Sequence, residues 1–390
     1  MKKKIVILGS TGSIGKTTLK IINNNKNDFI VDLLSTNTNY KKVFNQAIKF
    51  NVKNILIHDK KTFQKALLKN KTLKKNKFRI FNSLNDYKKK LKNKIDFSMC
   101  AISGIDGLQP TINSISFSKK IGIANKESII CGWDLINKNL KKYKTKFIPI
   151  DSEHFSINQL ITDNSKKNIN LIYLTASGGP FLNYKLRQFK TISLRKALKH
   201  PNWLMGKKIT IDSATMMNKV FEVIEAKNLF QIPYKNIKIL IHPKSYVHAI
   251  VHFNNGIIKL LAHETSMEIP IANSIYEGTQ KKIISKPLQL DLINNLNFTK
   301  VNLIKFPILN CLQMLPNKHS LFETILITAN DYFVYKFIQK KIKFTDISIY
   351  LINFIKKKEF TKFKHKSPKS VEEIKKLHNY VSLKLRNLGI

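Results

Sequence analysis

The stretch that most limits what this chain can become lies at its beginning. Ile5-Val6-Ile7-Leu8 is a short apolar run that empties directly into Gly9-Ser10-Thr11-Gly12-Ser13-Ile14-Gly15, and a helical pattern with apolar Leu19–Ile22 follows. Strand, glycine loop and helix in that order open a βαβ unit of a parallel sheet. Glycines there let the backbone turn tightly and approach a pyrophosphate, while the helix N-terminus offers free N–H groups and the positive end of its dipole. The spacing is G-x-x-G-x-x-G instead of the dinucleotide G-x-G-x-x-G, so a glycine-rich turn without a ligand stays open. Ser10–Thr17 also comes within one residue of the phosphate loop G-x-x-x-x-G-K-[ST]. No convincing apolar strand ends in the aspartate that such a loop needs for magnesium.

The first third continues to alternate short strand-like runs with helical ones. Phe29–Leu34, Asn54–His58, Phe97–Ile102, Ile121–Ala124 and Phe147–Ile150 read as strands, and the lysine-rich stretch 60–94 reads as a solvated helix face. From about Leu171 the pattern changes. Leu171–Thr175, Ile237–His242, Tyr246–Phe253 and Gly256–Ala262 read as strands of an antiparallel sheet, with Asn254-Asn255-Gly256 as a hairpin turn. The stretch from Pro180 to Lys208 reads as a long loop, 281–303 as a connection, and Ser320–Gln339, Ile347–Ile355 and Val371–Leu385 as helices. The expected class is α/β: a Rossmann-like domain over 1–150, a central α+β domain over 151–280, a linker over 281–303 and a helical bundle over 304–390.

Charge raises a different possibility. The chain of 390 residues carries 69 Lys and Arg against 24 Asp and Glu, a net charge of +45. Nucleic-acid binding is the sharp interpretation. Against it, only Arg79, Arg187, Arg195 and Arg386 are arginines, and the planar arginine fork is what reads guanine and phosphate. The lysines are spread over the chain beside abundant Asn and Ile, which share A/T-rich codons, so no specific nucleic-acid partner is expected. No apolar run reaches the roughly 18 residues of a membrane span. The apolar stretch after Met1-Lys-Lys-Lys stops at Gly9, too short for a secretory signal. A cytoplasmic location is expected. Cys100, Cys131 and Cys311 have no metal spacing and suit a reducing compartment.

Because acids are scarce, their clusters are informative. Phe147–Ile150 leads into Asp151-Ser152-Glu153, which puts two carboxylates at the carboxyl edge of a sheet, where α/β proteins bind ligands. Glu222 and Glu225, at i and i+3, can share a helix face. Carboxylates without Cys or His describe an oxygen-only site for Mg2+ or Mn2+, or else a solvated acid pair beside the many lysines. Ser177-Gly-Gly-Pro180 can wrap an anion, and Ser213, Asn218 and Lys219 lie together before a helix. Asn125-Lys126-Glu127 follows a strand at the same kind of edge. Trp203, in His200-Pro-Asn-Trp203, is either a core residue or an aromatic lid, and His248 reads as structural. After the second strand, Ser35-Thr-Asn-Thr-Asn39 has no carboxylate for a ribose 2′-hydroxyl, and Lys41 and Lys42 lie near. That suits a 2′-phosphate, hence NADPH.

Several of these segments together resemble the bacterial 1-deoxy-D-xylulose 5-phosphate reductoisomerases. They are Gly9–Gly15, Ala124-Asn-Lys-Glu-Ser128, Asp151-Ser-Glu-His154, Ser177-Gly-Gly-Pro-Phe181, His200-Pro-Asn-Trp203, Lys208–Lys219, Ile241-His-Pro243 and Lys343-Phe-Thr-Asp-Ile347, in that order. The resemblance implies an NADPH domain, a central catalytic and dimer-forming domain, and a C-terminal helical bundle, assembled as a homodimer. It implies that the sugar phosphate 1-deoxy-D-xylulose 5-phosphate is rearranged by a retro-aldol/aldol sequence and reduced by NADPH to 2-C-methyl-D-erythritol 4-phosphate. By motif, it assigns Asp151, Glu153 and Glu222 to the metal. Thr11, Gly12, Ser13, Ile14, Asn39, Asn125, Glu127 and Gly206 fall to the cofactor. Lys126, Ser152, Glu153, Ser177, His200, Trp203, Ser213, Asn218, Lys219 and Glu222 fall to the substrate, Trp203 on a lid loop. Lys126, with the metal carboxylates, would be catalytic. One departure concerns the cofactor: the family has Gly, a basic residue and Asn where this chain has Asn37-Thr38-Asn39.

Overall fold

The computed structural model describes residues 2–73, 77–161, 168–203, 205–277, 283 and 285–389. The chain divides into two compact units, one made of Met1–Ser128, Asp134–Asp151 and Met267–Ile283, the other of Ile129–Trp133, Ser152–Ser266 and Ile284–Ile390.

The first unit holds β1 (Lys3–Leu8), β2 (Phe29–Thr36), β3 (Asn54–Ile57), β4 (Arg79–Phe81), β5 (Ile95–Cys100), β6 (Ser118–Ile123) and β7 (Lys146–Pro149). They form one sheet in the order β4-β3-β2-β1-β5-β6-β7, every neighbouring pair parallel. The order reverses between β1 and β5, the switch point beyond whose carboxyl edge such sheets bind ligands. Ile5 to Leu8 are all buried, because helices cover a parallel sheet on its faces and remove the alternation seen in a half-exposed strand. The core joins Ile5, Ile7, Leu34 and Phe97 of the sheet to Leu19, Ile22, Val43 and Ala47 of the helices Ser13–Asn24 and Tyr40–Lys49. The stretch 60–94 is not one helix face. It contains the helices Lys60–Lys71 and Leu84–Lys88 with the edge strand β4 between them. Three residues, one of them Arg79, are too few to leave a period-two signal. The helix Glu268–Tyr276, remote in sequence, also belongs here. Tyr276 donates its hydroxyl proton to Asp28 Oδ2 at 2.7 Å, and Lys20 meets Glu268 at 2.5 Å.

The second unit holds β8 (Ile169–Ala176), β9 (Ile237–Ile241), β10 (Val247–Phe253), β11 (Ile258–Ala262) and β12 (Thr299–Lys300), ordered β11-β10-β8-β9-β12. The expected strands are present, but the sheet is mixed: β8 and β9 pair in parallel. The chain between them runs through the helices Lys207–Thr215 and Met217–Phe230, long enough for a parallel crossover. The hairpin between β10 and β11 turns at Gly256, whose φ is +82° and whose N–H donates to the Phe253 carbonyl at 3.0 Å. The supposed loop from 180 to 208 carries a 3-10 turn, Leu186–Thr191, and the short helix Leu194–Ala197. Phe181 and Phe189 anchor it against Phe344 with ring centroids 5.1 and 6.3 Å away. The C-terminal periodicity corresponds to the helices Phe322–Ile338, Phe344–Ile355 and Val371–Arg386. No described helix is long and apolar enough to cross a membrane.

Candidate active site

In the first unit, β1 ends at the switch point and hands over to the glycine loop. Gly9 has φ +83°, and a Cβ there would stand 2.5 Å from the Ala101 carbonyl oxygen in the loop after β5. Only glycine fits. Gly12 is the N-cap of the helix Ser13–Asn24 and supplies no side-chain cap, so the first-turn N–H groups keep their capacity for an anion. The loop is braced on its β2 side. Ser35 Oγ accepts from the Gly9 N–H at 2.8 Å, the hydroxyls of Thr11 and Thr36 lie 3.2 Å apart, and Gln46 Nε2 donates to the Ser10 carbonyl at 2.9 Å. Asn39 caps the helix Tyr40–Lys49 by accepting from the Lys42 N–H at 3.2 Å. The amide of Asn125 is fully engaged: Oδ1 accepts from the Ser128 N–H at 2.7 Å and Nδ2 donates to the Gly104 carbonyl at 2.8 Å. It starts the helix Lys126–Tyr143 while tying down the loop after β5. Glu127, half-buried, sits in that helix's first turn. Gly206, exposed, is the N-cap of the helix Lys207–Thr215 in the second unit.

The acids converge as a set. Asp151, Glu153 and Glu222 each offer a carboxylate oxygen, and these lie within 4.8 Å of one another. Two ammonium groups stand on them. Lys126 Nζ is 2.5 Å from Asp151 Oδ2, and Lys219 Nζ is 2.9 Å from Glu153 Oε1 while also pairing with Glu222 and donating to the Thr175 carbonyl. Lys219 is only 4% exposed. Burial alone would lower its pKa, but the Glu153 and Glu222 carboxylates outweigh burial and push it up to about 12. Three clustered carboxylates with no sulfur or imidazole among them fit a hard divalent cation. Ser152 donates to Glu153 Oε2 at 2.5 Å, and Asn218 donates to Glu222. Glu225, on the same helix, is not part of this set. It lies buried, its Oε2 3.9 Å from His154 Nδ1, and His154 Nε2 donates to the Glu222 carbonyl at 2.9 Å. The i, i+3 spacing allowed a shared face, but of the two only Glu222 offers an oxygen to the cluster with Asp151 and Glu153.

A second polar group forms around His200. Its Nδ1 accepts from the N–H groups of Asn202 and Trp203 at 3.1 and 2.9 Å, which assigns the proton to Nε2. That Nε2 faces Ser213 Oγ at 3.0 Å and Ser177 Oγ at 3.3 Å, and Ser177 Oγ in turn accepts from the Gly179 N–H at 3.1 Å. Burial holds the His200 pKa down at about 4, so the ring is neutral. Ser213 and Asn218 flank a joint between two helices at Met216, a non-glycine residue with φ +70°. Strain of that kind concentrates at working sites. Trp203 is half-buried, its ring 6.0 Å from that of His248, which stacks on His263 at 3.8 Å. Thr175, His154 and Asn202 carry contacts that residue types alone did not single out, although His154 and Asn202 sit inside quoted motifs.

Comparison with known proteins covers nearly the whole chain. Residues 5–132 match the domain described as 1-deoxy-D-xylulose 5-phosphate reductoisomerase, residues 147–230 the corresponding C-terminal domain, and residues 263–382 the DXP reductoisomerase C-terminal domain. The 1-deoxy-D-xylulose 5-phosphate reductoisomerase of Pelagibacter ubique is 56% identical over 390 residues, 100% of both chains. That of Wolbachia pipientis wMel is 39% identical over 349 residues, 88% of each. Among solved structures, DOX-P reductoisomerase in complex with NADPH, fosmidomycin and magnesium superposes with a TM-score of 0.90 at 30% identity, covering 99% of this chain and 98% of that one. The Zymomonas mobilis enzyme in complex with NADPH gives 0.87 at 28% identity, covering 100% and 99%.

Proposed function

The chain belongs to the 1-deoxy-D-xylulose 5-phosphate reductoisomerase family, and from that premise we propose that it converts 1-deoxy-D-xylulose 5-phosphate to 2-C-methyl-D-erythritol 4-phosphate, an oxidoreductase and isomerase of isoprenoid synthesis. NADPH supplies the hydride and a divalent metal, Mg2+ or Mn2+, supplies Lewis acidity to adjacent substrate oxygens. The convergence of Asp151, Glu153 and Glu222, with Lys126 and Lys219 standing on them, carries this reading.

Asp151, Glu153 and Glu222 would hold the metal. Lys126 places a proton donor beside Asp151, where it can hold or move a substrate hydroxyl proton. Ser177, His200, Ser213, Asn218 and Lys219 would bind the substrate phosphate. The neutral His200 contributes an Nε2–H donor and Lys219 a full charge. Ser152 orients the Glu153 carboxylate, and Trp203 covers the substrate and excludes water from a reactive aldehyde. The first-turn N–H groups of Ser13 and Ile14, with Thr11 and Gly12 in the loop before them, would cradle the cofactor pyrophosphate. Asn39, Asn125, Glu127 and Gly206 complete the set assigned to NADPH. Two copies would pair as a homodimer. β11 is the outer strand of its sheet with Ile258 62% and Leu260 47% exposed, an apolar edge that invites a partner. The cytoplasm is the proposed location.

The test is the carbon skeleton of the product. Incubating the protein with 13C-labelled 1-deoxy-D-xylulose 5-phosphate, NADPH and Mg2+ should give the branched 2-C-methyl skeleton by NMR. Reduction without branching would assign the chain to another Rossmann-type oxidoreductase.

A further inference from the structure

The turn that carries Trp203 is held by a side chain to which the functional reading gives no task. Asn202 donates one amide proton to the Pro243 carbonyl oxygen at 2.7 Å and the other to Ser245 Oγ at 2.8 Å. Its backbone N–H donates to His200 Nδ1 at 3.1 Å, and the Trp203 N–H joins it there at 2.9 Å. All the protons that Asn202 can donate are committed. Residues 200–203 thus form a bracket. One end faces the Ser177 and Ser213 hydroxyls through His200 Nε2, and the other end is fixed to the turn at 242–245.

The receiving turn has its own peculiarity. Ser245 is buried, has φ +51°, and donates its N–H to the His242 carbonyl at 2.9 Å. A left-handed non-glycine residue is disfavoured and persists where its surroundings over-determine it, typically at working sites. Here the strained backbone presents Oγ to the Asn202 amide. Two residues later β10 begins, and its His248 meets the Trp203 ring edge-on at 6.0 Å. The turn that receives the amide therefore leads directly into the strand on which the indole rests.

We propose that Asn202 is a positioning residue of the reaction: its carboxamide latches the 200–203 turn onto the 242–245 turn, seating Trp203 against His248 and His200 against Ser177 and Ser213. The inference rests on the functional reading above, in which those hydroxyls take the substrate phosphate. Asparagine meets the geometry where its neighbours in shape do not. Aspartate would aim an oxygen at the Pro243 carbonyl, alanine would leave both acceptors empty, and glutamine would overreach by one methylene.

The experiment combines steady-state kinetics with the emission of Trp203, isolated by Trp133→Phe because the chain has 2 tryptophans. Asn202→Asp should raise KM for 1-deoxy-D-xylulose 5-phosphate about thirtyfold, from the lost hydrogen bond to Pro243 and the oxygen–oxygen repulsion that replaces it, while kcat changes much less. NADPH affinity should hold within about twofold, and Trp203 emission should shift to the red as the indole meets water. Ser245→Ala should give a weaker effect of the same kind, and Asn202→Ala with Ser245→Ala should fall short of the product of the single effects. A purely structural role would lower the melting temperature and kcat together while KM and emission stay put; that result overturns the proposal, as do unchanged KM and emission. If the parent protein does not oxidise NADPH, the functional reading has failed. Emission in the presence of inorganic phosphate then decides the latch: a red shift in Asn202→Asp supports it and an unmoved spectrum overturns it.

Discussion

Replacing Lys219 by methionine separates the metal account from a purely structural one. This buried ammonium neutralises Glu153 and Glu222 together and satisfies the Thr175 carbonyl. Methionine keeps the volume and removes the charge, leaving adjacent carboxylates uncompensated. Breaking a buried pair in this way costs roughly 3–5 kcal/mol. For a unit of about this size each kcal/mol moves the melting temperature by roughly 2–4 °C, so Lys219→Met should melt roughly 6–20 °C below the parent. The ammonium and a divalent cation compete for the same oxygens, so the variant should bind Mn2+ more tightly and gain more from it. Thermal melts across a Mn2+ titration would read both effects, the gain rising with the logarithm of metal concentration. A Mn2+-dependent rise no larger than the parent's would refute the reasoning, since these carboxylates would then not be the cation's ligands. A melting temperature equal to the parent's would refute the energetic part.

The companion change, Glu222→Gln, should lower kcat by about a thousandfold or more while NADPH affinity, read by fluorescence titration, stays near the parent's. An equal loss of NADPH affinity would place Glu222 in the wrong site. His200 supplies a pH prediction. Its folded pKa of about 4 lies below the unfolded value of about 6.5. The stability it contributes is therefore present above about pH 6.5 and drains away as pH falls towards about 4. His200→Asn should flatten the acid limb of the melting curve against pH, and a limb parallel to the parent's would contradict this. Lys42 is held below the ordinary lysine range, first by the close approach of the Lys16 ammonium, and Lys16 lies in the first turns of the helix after the glycine loop. Lys42→Gln should weaken NADPH by about tenfold and NADH hardly at all, measured as dissociation constants. Equal losses would show that the pair does not serve the 2′-phosphate.

Local signals were legible wherever a residue's surroundings come from its own neighbours in sequence. The strand–glycine–helix opening, the Asn254-Asn255-Gly256 hairpin and the three C-terminal helices depend on short-range periodicity, and the structure has them. The three-residue β4 and the parallel pairing of β8 with β9 depend on partners far along the chain, and no local pattern announces them. The site divides the same way. Residue types named Asp151 and Glu153 as candidates and left Glu222 and Glu225 level; the resemblance assigned Glu222, and the direction of the helix Met217–Phe230 is what brings its carboxylate to the other two. That Asn125 spends its amide on the loop after β5, and Asn202 its amide on Pro243 and Ser245, is tertiary geometry carried by asparagines that look alike in sequence.

The central claim is reduction of 1-deoxy-D-xylulose 5-phosphate by NADPH at a metal held by Asp151, Glu153 and Glu222. Nicotinamide absorbance tests it directly, with NADPH and NADH in parallel, Mn2+ present, and a chelator added midway. The account predicts oxidation that requires the substrate, prefers NADPH and stops on chelation. Oxidation that continues undiminished after chelation, or a folded, NADPH-binding protein that oxidises nothing when the substrate is added, would contradict it.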